Sequence, residues 1–399
     1  MAREVREMYD FDTIINRRNT HSLKYDGIKE RLGIEGDDLL PLWVADLDFE
    51  TPKPIRDALI NRIDEKILGY SGGFEDVYAS IINWYEKRHN FSIDKSWIQF
   101  SGTIVNAINR ILKTFTEEGD KIIIQPPVFP AFRDAIKNHH REVVENSLVL
   151  KNGKYVMDLE DLKKKIDPKV KMFILCSPHN PVGRVWTREE LKELTDILVE
   201  NKILIVSDEA HAELVLKGYK HHFIHSISKE VANQSILCVS THKTFNVAGL
   251  EICNMIIPNE VIRNAYNDAQ LKDGINKPNL LGLTALKAGF DYCEQWLDEM
   301  IEYVEDNFKF LKETLEKEIP EIKMIKSEGT FLAWLDLREL NLAPKDIENS
   351  LIGKGKILVN QGYSFGTGGE GFIRVNVACP RSVLEEGVKR LVLSLTGRN

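Results

Sequence analysis

From Asn106 onward the chain alternates between two kinds of apolar pattern. INRILKTFTEEGD has apolar residues at helical spacing and ends near Gly119, so it predicts a helix. KIIIQPP is a short continuous apolar run closed by two prolines, which predicts a buried strand. AFRDAIKNHHR reads as the next helix, and KMFILCSPHNP as a strand running into a loop. TREELKELTDILVENK opens on Thr187 with Glu190 three residues on, a capping-box start. ILIVSDEAH and SILCVST are two further buried strands. Continuous apolar strands alternating with amphipathic helices imply an α/β fold with a parallel sheet covered on both faces. Ligands in such sheets gather at the carboxyl ends of strands. The polar clusters Ser177–Gly183, Asp208–His211 and Ser240–Asn246 fall there.

The two ends of the chain read differently. Up to about Leu40 the periodicity is weak, as in an arm that packs on something else. After Leu280 a long helical stretch, EQWLDEMIEYVEDNFKFLKETLEKE, leads into FLAWLDL, ILVNQGY and GFIRVNVA. RSVLEEGVKRLVLSL closes as a helix. This predicts a smaller α+β domain. The expected division is an arm and part of the small domain over 1–45, a large domain over 46–285 and a small domain over 286–399.

Composition narrows the function classes. With 399 residues, 43% hydrophobic and 29% charged, the chain is globular, with one or two domains. A net charge of −8 argues against a broad nucleic-acid face but allows a local basic pocket. No apolar stretch reaches the roughly 18 residues of a membrane span. MAREVREMYDFD lacks the apolar core of a secretory signal. The five cysteines are widely spaced with no C-x-x-C pair, and Cys176, Cys238 and Cys253 sit in or beside apolar runs. They read as core residues in a reducing, cytoplasmic setting, not as a disulfide framework or zinc site. HHFIH (His221–His225) lacks an acidic third ligand, so no metal is expected. GTGGEG precedes a strand instead of joining strand to helix, which argues against a dinucleotide fold.

Candidate chemistry lies at the strand ends. Lys243 follows SILCVS among Ser, Thr and His, where a lysine of lowered pKa forms an imine with an aldehyde. Taken alone it reads as one more exposed loop lysine. Asp208 ends ILIVS, an unusual place for a charge without a cation nearby. A pyridine nitrogen kept protonated needs such a carboxylate. The alternative is a helix cap by Ser207 or Asp208. Asn180, in S-P-H-N-P-V-G-R, is suited to a ring hydroxyl or to turn chemistry. Gly102 and Thr103 stand between a strand-like stretch and a helix, where free N–H groups cradle phosphate. Arg374 alternates with apolar residues in GFIRVNVA, as a carboxylate clamp or a structural ion pair.

Together N-P-x-G (from Asn180), S-D-E-x-H (from Ser207), S-x-x-K-T-F-N-x-A-G-L (from Ser240) and G-x-x-R-x-N (from Gly371) resemble the fold-type-I pyridoxal-5′-phosphate (PLP) enzymes, the aspartate aminotransferase superfamily. PLWVADLDF (Pro41–Phe49), LGY (Leu68–Tyr70) and QPPVFPAF (Gln125–Phe132) resemble its cystathionine β-lyase-like carbon–sulfur lyase branch. The resemblance runs from about Phe11 to the C-terminus. It implies a large domain with a mostly parallel seven-stranded sheet plus a smaller α+β domain.

The resemblance also implies roles. Lys243 bears the cofactor and later moves the Cα proton, and Asp208 pairs with the pyridine nitrogen. Asn180 and His211 neighbour the ring hydroxyl, and Phe129 stacks on the ring. Gly102, Thr103 and Ser240 hold the phosphate, and Arg374 binds the substrate carboxylate. Tyr70 reaches the neighbouring subunit's cofactor, so the active form is a homodimer with shared sites. The implied reaction is α,β-elimination from cystathionine or another cysteine S-conjugate, giving pyruvate, ammonia and a thiol. The alternatives are an aminotransferase and, from another class, a PLP-binding regulator. The sequence departs from the family at His242 (commonly Ser), Phe129 (often Tyr) and Leu47 (usually Met). Glu251 stands where many aminotransferases carry a phosphate-binding arginine.

Overall fold

The computed structural model describes residues 9–36, 38–275 and 277–397. The first eight residues of the expected arm lie outside these described residues. The larger sheet has seven strands: β1 (Ile98–Ser101), β2 (Lys121–Ile124), β3 (Glu142–Glu145), β4 (Val170–Cys176), β5 (Leu204–Asp208), β6 (Ser235–Ser240) and β7 (Cys253–Ile256). Their order is β1-β7-β6-β5-β4-β2-β3. All pairings are parallel except those of β7, which runs antiparallel to both neighbours.

The apolar runs are continuous because both faces of the sheet are buried. On β4, Phe173 and Leu175 join one core cluster, while Met172, Ile174 and Cys176 join the other. Buried strands of this kind carry no alternation. The link from β6 to β7 holds only the one-turn helix Thr241–Thr244 and a short turn at Ala248–Leu250. A parallel return usually runs through a full crossover helix, which this link lacks, and β7 comes back antiparallel. β3 (EVVE) is a half-exposed edge strand, and its polar ends hid it from an apolar-run reading.

The helices start where their caps say. α1 (Ile104–Phe115) begins after Thr103, whose side chain accepts from Asn106 N. It ends at Thr116, earlier than the expected glycine stop. α2 (Pro130–Asn138) has proline in its first turn, where no N–H is needed. α3 (Arg188–Glu200) carries the expected capping box between Thr187 and Glu190. No helix follows Asp208. The chain turns there, with Ala210 N donating to Asp208 Oδ1 at 3.1 Å.

A second sheet holds β8 (Lys323–Met324), β9 (Leu332–Asp336), β10 (Asn360–Gln361) and β11 (Phe372–Asn376), all antiparallel in the order β8-β9-β11-β10. It packs with α4 (Glu294–Glu318) and α5 (Arg381–Thr396) in the same core as one face of the large sheet. Leu40–Pro41 pairs in parallel with Ile357–Leu358, so the chain before residue 45 is tied to this C-terminal region. The next segment, Trp43–Phe49, crosses from there to the strand ends of the large sheet. No helix among the described residues is long and apolar enough to cross a membrane.

Candidate active site

Asp208 is the last residue of β5, in register with Cys176 on β4 and Cys238 on β6. It is only 8% exposed. Burial among apolar neighbours pushes its pKa up to about 6, against the pull of the Ala210 N–H and of Lys243.

Lys243 sits in the one-turn helix after β6, whose start Ser240 caps by accepting from His242 N at 3.1 Å. Its Nζ donates to the backbone carbonyl of Ala45 at 2.6 Å. Burial lowers its pKa; Arg374 acts in the same sense, and Asp46 and Asp208 oppose it. A lysine shifted down carries more of the neutral, nucleophilic amine.

Arg374 projects from the middle of β11. Its guanidinium donates to Asn180 Oδ1 (2.9 Å), the Trp43 carbonyl (3.0 Å) and Asn360 Oδ1 (2.6 Å). The Phe365 ring centroid lies 4.8 Å away. Nε is buried with no partner. No carboxylate forms an ion pair with Arg374 among the described residues, and burial alone pulls its pKa down to about 9. That removes the structural ion-pair alternative. A buried cation without a counter-ion is costly, and an incoming carboxylate relieves that cost.

Asn180 is fixed by the turn that follows β4. Gly183 in this turn has φ +72, and a Cβ there would stand 2.9 Å from Ser327 Oγ. The Gly183 carbonyl accepts from Glu328 N at 2.7 Å, which pins the turn to the lead-in of the second sheet. With its Oδ1 engaged by Arg374, the amide keeps its Nδ2 to donate. His211 is buried, its Nδ1 without a partner, and desolvation takes its pKa down to about 3.

The strand-exit residues form a second group. Gly102 and Thr103 lead into α1. Thr103 Oγ1 is already engaged with Asn106 N, which leaves the backbone as its donor. Nothing lies closer than 3.8 Å to where a Cβ on Gly102 would stand. Its neighbour there is Glu251, with the carbonyl at 3.8 Å and carboxylate Oε2 at 4.0 Å. Thr241 Oγ1, which sequence reasoning passed over, is buried and unpartnered beside Ser240. Phe129 precedes α2, half-buried, edge-on to Phe132 at 5.6 Å.

His242 has a structural use. Its Nε2 accepts from Ile252 N at 2.8 Å, closing the loop between β6 and β7, and burial lowers its pKa to about 4. Tyr70 stands apart from the cluster. It is fully exposed (101%), with Lys277 Nζ 5.4 Å from its ring.

Sequence reasoning gave Trp43–Phe49 no role beyond its branch signature. In the structure it is a strap whose carbonyls are held one by one. Asn376 Nδ2 donates to Val44 O and Asp46 O, and Asn246 Nδ2 to Leu47 O and Phe49 O. Backbone acceptors carry no side-chain signal. Asn246 and Asn376 did stand in the quoted motifs.

The profile of the class I and II aminotransferases matches residues 37–391. The cystathionine beta-lyase PatB of Bacillus subtilis (strain 168) is 37% identical over 388 residues, covering 97% of this chain and 100% of the relative. Among solved structures, PLP-containing cystalysin from Treponema denticola superposes with a TM-score of 0.94 at 37% identity, over 98% of this chain and 99% of that one. The PLP-bound C–S lyase from Staphylococcus hominis gives 0.90 at 32% identity, over 97% and 98%.

Proposed function

This chain belongs to the class I and II aminotransferase family, and within it we propose a PLP-dependent carbon–sulfur lyase that eliminates a thiol from cystathionine or a related cysteine S-conjugate. The observation that carries this reading is Arg374, a buried guanidinium with no counter-ion among the described residues, beside Asn180 and within the field of Lys243. A planar fork of this kind fits an α-carboxylate. The amino-acid head of the substrate is thereby oriented over the strand ends.

The residues fit the cofactor. Asp208 is a buried carboxylate on which, among the described residues, Lys243 is the one cation acting, as suits a pyridinium partner. The unpartnered Thr241 hydroxyl beside Ser240 suits a phosphate, and at Gly102 a side chain would already stand in contact with Glu251. When bound, PLP supplies an electron sink conjugated to the substrate Cα. Lys243 takes the Cα proton, its burial having already favoured the neutral amine. With the cofactor bound, Asp208 would hold the ring nitrogen, Asn180 Nδ2 and His211 would serve the ring hydroxyl, Phe129 would stack on the ring, and Gly102, Thr103 and Ser240 would hold the phosphate. Elimination releases the thiol and aminoacrylate, and water then hydrolyses the aminoacrylate to pyruvate and ammonia.

The active form in this reading is a homodimer. Ile60, Ile63, Ile67 and Leu68, shortly before Tyr70 in the chain, are exposed, as is Tyr292, which lines the same cavity as Tyr70; this apolar set supports a second copy there. Tyr70 then serves the partner's site. The division into an arm with part of the small domain (1–45), a large domain (46–285) and a small domain (286–399) belongs to the same proposal.

The test is incubation with L-cystathionine and a thiol reagent, without any keto acid. Release of thiol and pyruvate is expected. A requirement for a keto-acid acceptor, with no pyruvate formed, overturns the lyase reading in favour of an aminotransferase.

A further inference from the structure

Four charged side chains meet behind the strap. Arg17 Nη2 lies 2.5 Å from Asp46 Oδ2, and its Nη1 lies 2.7 Å from Asp48 Oδ1. Lys24 Nζ lies 2.5 Å from Asp48 Oδ2 and 3.6 Å from Asp46 Oδ1. Lys24 has no exposed side-chain surface, while Arg17 and Asp46 keep 22% and 18%. Two cations and two anions make a closed, neutral quartet. Burying a lysine this deeply is costly unless its charge is matched. The quartet is also the clamp between the N-terminal arm and the strap.

The strap in turn touches the reactive amine. Lys243 Nζ donates to Ala45 O, and Asp46 is the next residue. Asn376 holds Val44 O at 2.7 Å and Asp46 O at 2.6 Å, so the backbone on both sides of Ala45 is fixed. Asp46 therefore cannot move relative to Lys243 without breaking these bonds.

We propose that Asp46 is a positioning residue for Lys243, and that Arg17 and Lys24 set how much of its negative charge reaches the amine. This rests on the reading of Lys243 as the cofactor-bearing lysine. The other groups facing Lys243 are Arg374 from β11, Asp208 from β5, His211 from the turn after it, and His242 on its own turn. Burial keeps both histidines neutral near pH 7. That leaves three charges, and Asp46 alone among them is paired to the N-terminal arm. Burial lowers the proton affinity of Lys243, Arg374 adds to that effect, and Asp46 opposes it more strongly than Asp208 does.

The test is a pH titration of the visible absorbance of the holoenzyme, which follows protonation at the lysine–cofactor linkage and not turnover. Asp46→Asn leaves the quartet with a net positive charge and should lower the midpoint by about 1 unit. Arg17→Gln leaves it net negative and should raise the midpoint by a similar amount. The Arg17→Gln/Asp46→Asn double variant is neutral again and should return toward the wild-type midpoint. Shifts of the same sign in both single variants, or no shift in either, overturn the proposal. So does a double variant that stays displaced, since geometry and not charge would then be responsible. Lys243→Ala separates the two levels of the argument. If it keeps the wild-type band, the lysine assignment fails and this proposal with it. If it loses the band while the other variants do not shift, only the role of Asp46 fails.

Discussion

Asn180 Oδ1 accepts a 2.9 Å hydrogen bond from Arg374 Nη1, joining the turn after β4 to the middle of β11 across 194 positions of sequence. The bond ties the proposed ring-hydroxyl contact to the proposed carboxylate clamp. It also fixes which way the amide points, since an arginine needs an acceptor.

Arg374→Lys should lower kcat/KM for every cysteine S-conjugate by a similar factor, because the head group is shared. A lysine keeps the charge but loses the fork that spans Asn180, Asn360 and the Trp43 carbonyl. Losing a charge-assisted hydrogen bond removes about 1.5–3 kcal/mol, on the order of 10- to 100-fold in kcat/KM. A panel of substrates with different tails measures this. A reordering of the tail preferences would show that Arg374 contacts the tail instead.

Asp208→Asn should divide stability from activity. The folded-state pKa of Asp208 is raised to about 6 by burial. Between about pH 4 and 6 the folded chain holds a proton that the unfolded chain has released. Stability therefore falls as pH rises through that window, and the loss is complete above it. Asparagine carries no charge, so the cofactor-free variant should be more stable than wild type at pH 7.5, by up to about 3 kcal/mol. The loaded variant should turn over on the order of 10³-fold more slowly or worse, having lost its ring-nitrogen partner. Thermal unfolding and turnover check the two halves. An unchanged or lower unfolding temperature without cofactor would contradict the burial argument.

Much of the cluster was readable in the sequence. The strands leading to Asn180, Asp208 and Lys243 are continuous apolar runs, and each ends in a polar cluster that caps and turns alone explain only in part. The capping box at Thr187 and the proline start of α2 were equally plain. Other features left no trace in side-chain pattern. A strand buried on both faces looks the same in either direction, so β7 gave no sign of running antiparallel. The strap acts through carbonyls, and Ala45 contributes only its backbone oxygen. Arg17 and Lys24 sat in a stretch of weak periodicity, where nothing announced that Asp46 and Asp48 would meet them.

Mixed dimers test whether Tyr70 works across an interface. A Tyr70→Phe subunit keeps its Lys243, and a Lys243→Ala subunit keeps its Tyr70. Joined, they hold one site with both residues intact. Each homodimer should be impaired and the hybrid should recover activity. A wild-type chain that is fully active as a monomer would exclude the arrangement.

The last prediction concerns Glu251, which the sequence marked as a departure and the structure places beside Gly102. Its Oε2 is 4.0 Å from where a Cβ on Gly102 would stand, next to the space assigned to the cofactor phosphate. A carboxylate near a phosphate dianion opposes binding, by about 1 kcal/mol or more per charge pair depending on exposure. Among the described residues no ion pair is formed by Glu251, so its charge is not cancelled locally. Its backbone sits at φ 46, in the left-handed region, and the loop there is closed by the His242–Ile252 bond. Glu251→Gln preserves that backbone and the side-chain shape while removing the charge. The variant should hold PLP several-fold more tightly than wild type, and the gain should shrink as salt is added, since screening already weakens the repulsion. Titration of the cofactor-free protein with PLP at low and high ionic strength measures both effects. Unchanged affinity at low salt would mean that Glu251 does not sense the phosphate at all.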